Sequence, residues 1–170
     1  RALKLGSLRA RGTTFEVVEP GAELELGGLG LRAFATEHGT SSVGWRFSEK
    51  DGRRTMAIPG DSRPSPRLAD DVRGVDLLVF EATFLERDRA RAVASSHATA
   101  LEAGELAAAA EVGALALTHL SARYPRDEVA AEARSRFAPV LVPGDLDRIE
   151  LGVAAGGARV EARLLPQGAA

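Results

Sequence analysis

From Pro66 to Val142 the chain alternates helix and strand signals, and that alternation constrains the fold more than any other feature. Pro66 to Arg73 reads as a helix entered by prolines and closed at Gly74. Val75 to Phe80 is a mostly apolar run, as expected of a strand buried on both faces. Ala100 to Val112 is alanine-rich, opens on the capping-box pattern Thr99-x-x-Glu102 and exits at Gly113, with Leu101 and Leu106 marking a packing face. Leu115 to Leu117 is the next strand. Asp127 to Phe137 reads as a helix with Val129, Ala130, Ala133 and Phe137 inward, and Val140 to Val142 as a strand. Upstream, Leu29 to Ala35, Val43 to Phe47 and Thr55 to Ile58 read as strands, with Lys50-Asp51-Gly52 as a hairpin turn between the last two. Phe15 to Val18 and Leu24 to Leu26 are shorter candidates, separated by Pro20-Gly21. Ile149 to Val153 and Arg159 to Leu165 close the series, and Gln167 to Ala170 reads as a frayed tail. The expectation is an α/β fold, a mixed sheet with covering helices.

With 170 residues, 45% apolar and 27% charged, the chain suits one domain with a real core, residues 1–170. A net charge of -2 gives no overall attraction to nucleic acid, so any RNA contact has to come from local patches. Two are available: Arg87, Arg89 and Arg91, diluted by Glu86 and Asp88, and Arg1, Lys4, Arg9 and Arg11 at the start. Either patch is an RNA contact or an ordinary solvated surface, which for Arg87, Arg89 and Arg91 is a solvated helix face. The absence of cysteine excludes disulfides and thiolate metal sites and fits a reducing, cytoplasmic setting. No transmembrane segment or signal peptide is visible, so no membrane partner is expected.

All three histidines lie in polar motifs: Glu-His38-Gly-Thr, Ser-Ser-His97-Ala-Thr and Leu-Thr-His119-Leu-Ser. Asp61 and Glu81 each end an apolar run. Taken singly, each has an ordinary structural role: a hydrogen-bonded histidine, a turn aspartate, a capping glutamate. Taken together, Asp61, Glu81 and His119 should emerge at like-facing ends of neighbouring strands, the edge where open α/β sheets bind ligands. His97 precedes a helix N-terminus, a favourable place for phosphate. Oxygen and imidazole donors without sulfur suit zinc or manganese.

In order and spacing, these motifs resemble the ribonuclease Z family of the metallo-β-lactamase superfamily. The most specific stretches are Val75-Asp-Leu-Leu-Val-Phe-Glu81-Ala-Thr-Phe, His97-Ala-Thr with its helix, and Leu117-Thr-His119-Leu-Ser-Ala-Arg-Tyr124, within a likeness running from His38 to Asp145. The resemblance implies part of an αβ/βα sandwich carrying two zinc ions. It makes His38 a ligand of one zinc, His119 of the other, and Asp61 the bridge. It casts His97 as the proton donor to the leaving 3′ oxygen and Glu81 as the carboxylate that orients it, with Ser121 as site support and Arg123 as either site support or a partner in a structural ion pair. The implied substrate is precursor tRNA or another phosphodiester, and the implied assembly a homodimer. The chain departs from the family pattern at Phe80, Ala98 and Trp45, and its stretch from Trp45 to Asp61 is short.

The family's His-x-His-x-Asp-His motif is absent, since all three histidines lie elsewhere. The chain therefore reads as the C-terminal portion of such an enzyme, inactive by itself. Two other expectations stand beside this: a general metallo-hydrolase acting on small phosphodiesters, and a non-catalytic half-domain that binds a complementing partner.

Overall fold

A computed structural model describes residues 17–153 and 160–168. Seven strands form one mixed sheet in sequence order: β1 Glu23–Leu26, β2 Leu29–Ala35, β3 Val43–Glu49, β4 Thr55–Gly60, β5 Leu77–Glu81, β6 Leu115–Thr118 and β7 Val140–Leu141. The first four strands make an antiparallel meander, and β4 to β7 run parallel. Parallel neighbours need crossovers, which the helices α1 Pro66–Asp71, α2 Arg89–Ser95, α3 Ala100–Ala109 and α4 Arg126–Arg134 supply. A separate hairpin pairs β8 Arg148–Val153 with β9 Val160–Leu165.

The pleat sorts the buried strand into two cores. Leu78 and Phe80 of β5 face the helices, packing with Leu68, Val72, Leu106 and Val129. Leu77 and Val79 face the other way, into a smaller cluster with Met56, Leu141 and the hairpin residues Ile149, Leu151 and Ala162. A strand covered on both faces accounts for the near-continuous apolar run. Helix α3 lies close against α4: a Cβ at Gly104 would stand 2.5 Å from the carbonyl oxygen of Ala133, so this contact requires glycine.

The mixed sheet with covering helices is as expected, with shifts at element ends. Asp76 precedes β5 because its carboxylate is occupied with the amide and hydroxyl of Thr55, at 2.7 and 2.8 Å. Of the candidate strand Phe15 to Val18, Phe15 and Glu16 lie outside the described residues, and Val17 and Val18 are not in a strand. The basic start of the chain, Arg159 and the last two residues also lie outside them. Gln167 belongs to a turn, its amide donating to Asp147 at 2.9 Å. The capping box of α3 forms in full. The solvated helix face expected for the Arg87, Arg89 and Arg91 stretch is helix α2 with a preceding 3-10 turn at Glu86–Asp88, whose N-cap Asp88 makes no side-chain capping bond. No helix among the described residues is long and apolar enough to cross a membrane.

Candidate metal centre

Strand direction gathers the site. β2 runs the same way as β4, since each is antiparallel to β3, and β5 and β6 are parallel to β4. The residues after β2, β4 and β6, and the last residue of β5, therefore leave the sheet at one edge: His38, Asp61, His119 and Glu81. At β4 the register with β5 shifts between Ala57 and Gly60, around Pro59, which has no amide hydrogen to pair. Gly60 then takes φ +75°, turning the chain so that Asp61 stands clear of the ladder. His119 adopts φ +52°, a left-handed conformation uncommon for a residue with a Cβ. Its carbonyl is tied down by the Thr83 hydroxyl at 3.0 Å.

His97 arrives by another route. Helix α2 ends at Ser96 with φ 60°, and the His97 amide closes the turn onto the Ala92 carbonyl at 2.9 Å. The next residues run beside Phe84, with Phe84 N–H donating to Ala98 and Ala100 N–H to the Phe84 carbonyl. This brings His97 over the end of β5. Its Nδ1 lies 3.0 Å from both oxygens of Glu81. A carboxylate offers only acceptors, so Nδ1 carries a proton and Nε2 is the ring nitrogen left free of Glu81. His38 is ordered in the same way: Nδ1 donates to the Ser96 carbonyl at 3.1 Å, leaving its Nε2 free.

Glu81 is the hub of this arrangement and is fully buried. Besides His97 it accepts from Ser62 N–H at 2.8 Å, the Thr83 hydroxyl at 2.7 Å and Ala98 N–H at 3.0 Å. Asp61 and His119, by contrast, have side chains 42% and 48% exposed, with Oδ2 and Nε2 3.7 Å apart. Ligand-type atoms of Asp61, His97 and His119 all lie within 4.8 Å of one another, so these residues form a possible metal site. The ring of His97 sits between the other two imidazoles, 5.2 Å from His38 and 5.1 Å from His119. All five expected site residues thus meet at one edge, with His97 nearer the Asp61–His119 pair than a role apart from the metal requires.

Ser62, Arg63 and Thr83 hold this arrangement together and were not singled out from sequence, although each lies within two residues of a candidate carboxylate. Ser121 receives the Arg123 amide on its hydroxyl at 3.3 Å, shaping the loop after His119. The basic patch is largely neutralised: Arg87 pairs with Glu128, Arg89 with Glu86 and Glu102, and Arg91 with Asp88. That favours the solvated-surface reading for these arginines.

A helix-covered mixed sheet with imidazoles and carboxylates collected at one edge defines a metallo-β-lactamase-type α/β chain. The family model for a beta-lactamase superfamily domain matches residues 4–120, and the chain belongs to that family. It is similar to the ribonuclease Z of Bradyrhizobium sp. (strain ORS 278), 49% identical over 98 residues, covering 58% of this chain and 33% of that protein. The ribonuclease Z of Methanopyrus kandleri is 31% identical over 165 residues, covering 77% and 58%. Among solved structures, a metallo-beta-lactamase fold protein from Bacillus subtilis superposes with a TM-score of 0.68 at 26% identity, covering 74% of this chain and 51% of that one. The short form of human tRNase Z superposes with a TM-score of 0.58 at 25% identity, covering 72% and 43%. The chain spans about a third of the length of several of its ribonuclease Z relatives.

Proposed function

We propose that this chain is the C-terminal portion, residues 1–170, of a zinc-dependent phosphodiesterase that removes the 3′ trailer of precursor tRNA in the cytoplasm. The observation that carries the reading is the Glu81–His97 pair beside Asp61 and His119: a buried carboxylate orients an imidazole whose free nitrogen faces the metal-type donors. The donor set fits zinc, being two half-exposed groups of oxygen and nitrogen type together with His38, whose Nε2 is left free by its backbone bond. His38, Asp61 and His119 would hold the metal. Bound zinc supplies Lewis-acid activation of the phosphodiester and of water. The chain's own contribution is positional and protonic. Glu81 holds Nδ1–H, His97 in its doubly protonated imidazolium form gives the Nε2 proton to the departing 3′ oxygen and is left as the Nδ1–H imidazole, and the buried backbone around Glu81 keeps that geometry rigid. The remaining ligands would come from a segment bearing the His-x-His-x-Asp-His pattern, and a homodimer is the proposed assembly.

The close grouping of Asp61, His97 and His119 supports a second reading, in which His97 Nε2 is itself a ligand. Glu81 would then be the outer carboxylate that commonly braces a metal-bound histidine. Metal analysis of His97→Ala separates the two: retained zinc with lost trailer cleavage supports the proton donor, and lost zinc supports the ligand.

A further inference from the structure

The peptide bond between His97 and Ala98 is held on both sides by charged side chains. Its carbonyl oxygen accepts from Arg63 Nη1 at 3.1 Å, and its N–H donates to Glu81 Oε2 at 3.0 Å. The second arm of the Arg63 guanidinium reaches Glu102 Oε1 at 3.0 Å, with both side chains largely buried. Glu102 uses its other oxygen to accept the Thr99 amide at 2.9 Å, so the residue that anchors Arg63 also closes the start of α3. The Arg63 backbone amide donates to the Glu37 carbonyl at 2.8 Å, one residue before His38. One arginine, two positions after Asp61, therefore links the β4 exit, the segment leading to His38 and the backbone that carries His97.

We infer that Arg63 is the positioning residue that sets the His97 imidazole against Asp61 and His119, by clamping the His97–Ala98 peptide from the side opposite Glu81. The inference rests on His97 being the proton donor. A planar fork satisfies two acceptors in fixed relative directions, whereas a lysine is a single point charge that cannot hold both. Losing the fork frees the peptide to rotate and moves the ring that Glu81 shares with it. A misplacement of roughly 1 Å at a reacting group costs on the order of a hundredfold in rate.

The test uses the full-length zinc-loaded gene product, Arg63→Ala, Arg63→Lys and His97→Ala, and two substrates. A p-nitrophenyl phosphodiester expels a phenolate that needs no proton, while an RNA expels a sugar oxygen that does. His97→Ala should raise the ratio of kcat on the ester to kcat on RNA by about a hundredfold or more. Arg63→Ala should raise it by at least about tenfold with zinc content retained, and Arg63→Lys by an intermediate amount. Amide exchange at Ala98 should speed up by at least about tenfold in Arg63→Ala, a readout independent of turnover. If His97→Ala shifts the ratio and neither Arg63 variant does, the positioning role is wrong and the proton donor stands. If His97→Ala leaves the ratio unchanged, the proton-donor reading falls and this inference with it. Unchanged Ala98 exchange in Arg63→Ala also overturns it.

Discussion

Replacing Glu81 by glutamine should destabilise the protein out of proportion to the loss of one oxygen. Four donors converge on the buried carboxylate: Ser62 N–H and Ala98 N–H, the Thr83 hydroxyl and His97 Nδ1. Two can adapt, since Thr83 can turn wholly to the His119 carbonyl and a neutral imidazole can change tautomer. The two backbone amides cannot. Ser62 N–H points at Oε1 and Ala98 N–H at Oε2, so either placement of the new NH₂ group opposes a fixed donor. An orphaned buried N–H costs about 1–3 kcal/mol, and the remaining bonds weaken from charge-assisted to neutral, by roughly another 1–2 kcal/mol. Relief of the buried charge offsets part of this, leaving a net loss of about 2–3 kcal/mol. For a chain of this size that lowers Tm by about 5–10 °C. Thermal and urea unfolding at pH 7 measure it, with the exposed Glu111→Gln as a control expected to change stability by less than about 0.5 kcal/mol. A Glu81→Gln protein as stable as that control would refute Glu81 as the hub.

In the full-length product, His119→Ala and Asp61→Ala should lose zinc by elemental analysis, while His97→Ala keeps it and loses rate by about a hundredfold or more. Equal zinc loss in all three would make His97 a ligand. The 170-residue chain alone should bind zinc weakly and turn over no phosphodiester, because each ion would lack the usual three protein ligands. Clear turnover by the purified chain would contradict this. Glu132→Gln should be neutral to stabilising at pH 7. Burial raises the Glu132 pKa, against the opposing pull of the Glu86 and Leu101 amides. The folded state therefore holds that proton more tightly, and wild type should lose stability relative to the variant as pH rises above about 4.3 through the raised folded value. A stability difference between the two that does not vary with pH would count against it.

Much of the fold was legible because it is written locally. Hydrophobic period, prolines at Pro66, the Thr99–Glu102 capping box and the apolar run before Glu81 are short-range signals that survive into the structure. The convergence of the candidate residues was legible for a related reason: Asp61 and His119 follow strands and Glu81 ends one, and parallel β4, β5 and β6 bring those ends together. Helix α2 was legible only as a charged helix face without bounds, because no capping side chain marks its start. Tertiary structure alone decided how the site is wired. That Glu81 is fully buried and binds amides 17 and 19 residues away depends on the loop after β4 and the turn after α2 meeting over β5. The clamp from Arg63 to the His97 carbonyl spans 34 residues and leaves no periodic trace, since hydrogen bonds between loops obey geometry in space and no repeat along the chain.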